Sequence, residues 1–184
     1  MALLVFRAIA GPALVVAAIA GAPGIVLAGI LVLGFVSDVF DGVIARRLGI
    51  ATEGLRSADS VIDTIFYISA VIALVIHAPG VIGANTTGIA IVIILEVARQ
   101  VLERIKYGRM AAYHMWTAKA WGVALAIGFS EAFITGAPGP LFRIAIIVGI
   151  IADLEGFAGS LILSSWHHDV PSLWHAITIE KSRD

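Results

Sequence analysis

Six long apolar runs follow one another almost without a break, near Ala2 to Ala20, Gly24 to Leu48, Asp59 to His77, Thr87 to Tyr107, Thr117 to Thr135 and Pro140 to Ser164. A bilayer-spanning helix needs about 20 predominantly apolar residues, and hydrocarbon tolerates only backbones whose polar groups bond internally. With 184 residues, 60% of them hydrophobic, and a mean hydropathy of +1.01, little chain is left for an extramembrane domain. These features predict an all-α integral membrane protein, six transmembrane helices around a polar cavity open to the cytoplasmic side. Residues 1–164 form the expected six-helix domain, and 165–184 a short cytoplasmic or interfacial tail.

The placement of charge sets the orientation. The connections Gly21-Ala22-Pro23, His77 to Thr86 and Gly136-Ala137-Pro138-Gly139 carry no Lys or Arg. The opposite connections hold Arg46, Arg47 and Arg56, then Arg104, Lys106, Arg109 and Lys119, and the tail ends with Lys181 and Arg183. Basic loops stay cytoplasmic, so a multi-pass protein of the cytoplasmic membrane with both termini inside is expected. A formal net charge of -1 offers nothing to nucleic acid, and the absence of cysteine excludes disulfides and thiolate metal sites. Small residues four apart at Gly122/Ala126, Ala145/Gly149 and Ala152/Gly156/Ser160 predict close helix packing inside the bundle.

Against this background the acids stand out. Asp38 and Asp41 are three residues apart, and Asp59 and Asp63 four apart, so each pair shares one helix face. The first pair precedes a cytoplasmic loop and the second follows it, so antiparallel helices bring all four carboxylates to similar depth. Each would cost about 2.5 to 3.5 kcal/mol at a helix centre, and such a cluster needs cationic compensation. An all-oxygen donor set suits hard divalent cations, Mg²⁺ or Mn²⁺. Two such ions can bridge phosphate oxygens while one carboxylate accepts a proton, which is the chemistry of phosphoryl transfer.

The segment Asp38-Val39-Phe40-Asp41-Gly42-Val43-Ile44-Ala45-Arg46, followed by Asp59-Ser60-Val61-Ile62-Asp63, resembles the signature of the CDP-alcohol phosphotransferase family. Its first half matches D-x-x-D-G-x-x-A-R in full, and its second half keeps D-x-x-x-D. The resemblance implies a phosphatidyltransferase that moves a substituted phosphoryl group from a CDP-linked lipid donor, usually CDP-diacylglycerol, to an alcohol, releasing CMP in phospholipid biosynthesis. By the same resemblance Asp38, Asp41 and Asp59 bind two metal ions, Asp63 completes the site and acts as general base, Gly42 and Ala45 admit the nucleotide, and Arg46 contacts donor phosphate. A homodimer is also implied. The family's glycine four residues before the third Asp is replaced by Leu55, with Gly54 beside it, and the polar lead-in to the first helix is missing. Arg7 is the counterpart offered for the arginine of the family's first helix.

Members that use phosphorylated acceptors carry basic residues near the fourth and fifth spans, which makes Arg99, Arg109 and Lys119 candidates for binding an alcohol or phosphorylated alcohol. Glu96 is three residues before Arg99 and can pair with it. Glu131, Asp153 and Glu155 also lie within spans and are read first as structural ion-pair partners. Together these intramembrane charges support one alternative, a transporter or ion-binding membrane protein. The segment from Trp166 to His175 reads as an interfacial anchor rather than a histidine metal site.

Overall fold

The computed structural model describes residues 2–48, 53–111, 113 and 115–182 and, within these, the side chains of 3–40 and of 61 onward. Eight helices occur among them: α1 (Ala2–Ile19), α2 (Gly24–Leu48), α3 (Glu53–His77), α4 (Pro79–Ala84), α5 (Thr86–Tyr107), α6 (Trp116–Thr135), α7 (Pro140–Ile162) and α8 (Leu173–Lys181). The six longer ones correspond to the six predicted runs, with α3 starting earlier than the apolar pattern, at Glu53. Helices α4 and α8 were not foreseen, since neither is long nor continuously apolar. By length and composition α7 qualifies as a membrane span among the described residues, and Leu3–Ile19, Gly24–Phe40 and Val61–His77 are shorter apolar helices.

The chain divides into two compact units, Met1–Ala84 with Gly128–Gly139, and Asn85–Ile127 with Pro140–Asp184. In the first, α1 packs on α3 and α2. Its inward face carries Leu4, Arg7, Ala10, Leu14 and Ala18, whereas Val5, Ile9, Val16 and Ile19 point outward. Large aliphatic side chains cover the outer face, while a charged residue and two alanines sit among leucines within, a departure from the soluble pattern that lipid solvent allows. Close approach follows from small residues: a Cβ on Gly11 would lie 3.2 Å from the Phe66 backbone, and one on Gly34 would collide with the Phe66 ring. At the other end of α3, His77 Nε2 lies 3.0 Å from the Phe133 carbonyl, and Gly24 packs against that same carbonyl.

In the second unit α5 packs on α7, and α7 on α8. The small residues Ala145, Gly149, Ala152, Gly156 and Ser160 form a buried stripe on α7. They serve packing within the unit: the Trp121 ring occupies the space a side chain on Gly149 would need, and the Arg99 stem lies 3.0 Å from a Cβ on Gly156. Gly108 ends α5 in the left-handed conformation, φ 69°, with its N–H bonded to the Arg104 carbonyl. Just before it, Lys106 Nζ donates to the carbonyls of Ser160 and Leu161, both at 2.8 Å, and Tyr107 Oη donates to those of Ser160 and Leu163. The open carbonyls at the end of α7 thus find donors on α5. Lys106→Ala is expected to destabilise the protein by about 1 kcal/mol, read as a lower Tm in detergent. At the start of α8, Glu155 accepts the Leu173 N–H at 3.0 Å and the Thr117 hydroxyl.

Candidate active site

Three helices of the first unit meet at one cation. Arg7 sits in the second turn of an apolar helix and is 1% exposed, so its charge must be compensated locally. On α2 the inward positions Leu27, Leu31 and Gly34 lead to Asp38, and on α3 Asp63 is one turn before Phe66 and lies on the inward side with it. Arg7 Nη1 donates to Asp38 Oδ1 at 2.8 Å, and its Nε lies 2.6 Å from Asp63 Oδ1, close in distance though not aligned as a hydrogen bond. The two carboxylates are 32% and 29% exposed, so both remain reachable from outside the packed helices. Tyr67, one turn beyond Asp63, is within electrostatic range of all three.

The two described carboxylates of the predicted set therefore come together from different helices. The side chains of Asp41, Gly42, Ala45, Arg46 and Asp59, and the stretch around Gly54 and Leu55, lie outside the described side chains. Arg7, which the sequence offered only as the counterpart of a first-helix arginine, is the cation that joins them; its signal is an arginine isolated in apolar sequence. The fit to a hard cation can be judged from the charge balance. One guanidinium faces two carboxylates, so the described part of the cluster is net negative and its donors are carboxylate oxygens, although among the described residues no group of three or more acids or histidines is placed to hold a metal ion. Those properties suit Mg²⁺ or Mn²⁺.

In the second unit, considered by itself, Arg99 is held between glutamates of its own helix. Its Nη2 lies 2.5 Å from Glu96 Oε2, and its Nη1 3.3 Å from Glu103 Oε1. The predicted Glu96–Arg99 pair is thus present, and Glu103 is the partner not foreseen. Glu103 is 0% exposed and also accepts from Ser160 Oγ and the Ala111 N–H, both at 2.9 Å. Arg109 lies over the Trp166 ring, 3.7 Å from its centroid, and Lys119 over Trp116 at 4.5 Å. Neither has a carboxylate at ion-pair distance among the described residues. His167, His168 and His175 each bond to a near neighbour in sequence, respectively the Ser165 carbonyl, Asp169 and Ser172.

The chain matches the CDP-alcohol phosphatidyltransferase family over residues 1–161. The chain belongs to the CDP-alcohol phosphatidyltransferase family. No curated protein and no solved structure gives a significant match. Membership makes the protein a membrane-associated transferase of phospholipid synthesis, taking a CDP-linked donor and an alcohol acceptor, and the family uses divalent metal ions. The matched residues include α1, with Arg7, as well as the acidic segments on α2 and α3.

Proposed function

We propose that this CDP-alcohol phosphatidyltransferase transfers a phosphatidyl group from CDP-diacylglycerol to an alcohol hydroxyl at the cytoplasmic face of the membrane. The observation that carries the reading is the convergence of Asp38 and Asp63, from two helices, on the buried Arg7. Asp38, Asp41, Asp59 and Asp63 would hold two divalent cations, Mg²⁺ or Mn²⁺, which when bound neutralise the phosphate oxygens of the donor. Asp63 accepts the proton of the acceptor hydroxyl. The resulting oxygen forms a bond to the β-phosphorus of the donor as the bond from that phosphorus to CMP breaks, giving a phosphatidyl alcohol and free CMP. Gly42 and Ala45, which bring no bulky side chain to α2, let the cytidine nucleotide approach the helix, and Arg46 contacts donor phosphate.

For the acceptor, Arg109 and Lys119 are the cations best able to turn to a phosphorylated alcohol, since each rests on an aromatic ring; Arg99 is already held by Glu96 and Glu103. Six spans within residues 1–164, cytoplasmic termini and the homodimer known of the family complete the reading. Of the residues behind the transporter alternative, Glu96 pairs with Arg99, and Glu155 bonds Thr117 and the start of α8. Purified protein is expected to release CMP from CDP-diacylglycerol when both a divalent cation and a suitable alcohol are present. A screen of alcohols and phosphorylated alcohols, each with and without chelator, tests this. CMP release in none of them would end the proposal.

A further inference from the structure

The chain beyond Leu161 lies outside the residues matched to the family, yet within the second unit it folds back onto the connection from α5 to α6. Trp166 Nε1 donates to the Met110 carbonyl and the Trp116 N–H to the Pro171 carbonyl, both at 3.0 Å. Glu155 ties the first turn of α6 to the start of α8 by accepting from Thr117 and Leu173. Tyr113 and Met115 of the connection are buried with Leu163, Val170 and Ala176 in one apolar cluster. Bonded near both ends and buried between them, the connection is held by residues that follow α7.

Arg109 stands at the start of that connection, one residue after the left-handed Gly108, where an exposed arginine would ordinarily sample many rotamers. Here its guanidinium lies over the Trp166 ring, 3.7 Å from the centroid, and the carbonyl of the next residue is bonded to the same indole. One side chain thus holds both the guanidinium and the backbone beside it. Stacking occupies the face of the guanidinium and leaves its in-plane N–H donors available for two oxygens of a phosphate. No carboxylate lies at ion-pair distance from Arg109 among the described residues, in contrast to Arg99 between Glu96 and Glu103. We propose that Trp166 is a positioning residue that presents Arg109 to the phosphate of a phosphorylated alcohol acceptor, which makes the segment after α7 a part of acceptor recognition. The inference rests on the transferase reading above, with Arg109 as an acceptor cation.

Two readouts test this, one of them independent of turnover. In the full chain labelled with 5-fluorotryptophan, the Trp166 resonance being assigned from Trp166→Phe, glycerol 3-phosphate and inorganic phosphate are expected to move that resonance saturably and glycerol to leave it in place, with Arg109→Gln abolishing the response. In CMP-release assays with the phosphorylated alcohol that the acceptor screen selects, Trp166→Ala should raise the acceptor KM about fivefold, the effect of losing one cation–π contact, and leave kcat and the KM for CDP-diacylglycerol within about twofold. Trp166→Phe, which keeps a ring under the guanidinium, should bring the acceptor KM back towards that of the parent. A merely structural role would instead lower kcat and Tm together in Trp166→Ala with the acceptor KM unmoved, and that result would overturn the inference, as would a screen that selects an unphosphorylated alcohol. A Trp166 shift that distinguishes phosphatidylglycerol from phosphatidylcholine nanodiscs with no solute added would overturn it in favour of a lipid headgroup. Absence of CMP release with every acceptor would end the transferase reading, and the ¹⁹F response would still decide whether Trp166 presents Arg109 to phosphate.

Discussion

Asp63→Asn is expected to lower the rate of CMP release by about 10²- to 10⁴-fold, the range associated with loss of a positioned general base. The substitution keeps the size and planar shape of the side chain and removes its capacity to hold a proton at neutral pH. Asp63 is about a third exposed, and Arg7 retains Asp38, so the folded structure should change little. A loss of activity with an unchanged Tm would therefore be chemical in origin. The pH dependence of the residual rate supplies a second readout, because the limb belonging to the base should disappear from the profile. Full activity in Asp63→Asn would rule out the proposed proton acceptor.

Arg7→Met should act mainly on stability, and should make that stability depend on metal. Removing the guanidinium leaves Asp38 and Asp63 facing one another without the charge that now joins them, and breaking a buried ion pair by deleting one partner costs about 3 to 5 kcal/mol. The partial exposure of both carboxylates places the expected loss near the lower figure. A divalent cation that binds the folded form stabilises it by mass action, so Mn²⁺ should raise the Tm of Arg7→Met more than that of the parent, in which Arg7 already neutralises the same oxygens. Arg7→Lys is expected to fall between the two, because one ammonium cannot match the reach of a guanidinium to two carboxylates. Equal thermal shifts with Mn²⁺ in parent and variant would argue that metal and Arg7 do not act on the same acids.

These expectations rest unequally on sequence and structure. The Asp spacing across α2 and α3 is legible in the chain because side chains three or four residues apart must share a helix face. The same rule finds Glu96 with Arg99. It does not reach Arg7, which is separated from Asp38 by 31 residues and owes its role to the packing of α1 against α2 and α3. Glu103 is a mixed case: its position four residues after Arg99 is visible in the sequence, but its burial and its bonds to Ser160 and Ala111 require α7 and the turn after α5. Lys106 illustrates the converse. The positive-inside rule explains it as one of a run of basic residues in a connection, yet its ammonium group also closes the end of α7.

By itself, the sequence determined a helical chain built for lipid, its family through the acidic signature, and which residues can share a helix face, since hydropathy and helical periodicity are local properties. Tertiary structure alone decided that a buried arginine joins Asp38 to Asp63, that Arg99 is neutralised by its own helix, and that Arg109 rests on the Trp166 ring. Those facts depend on which helix faces which, and small residues such as Gly11, Gly34, Gly149 and Gly156 set that choice by how closely they let backbones and rings approach.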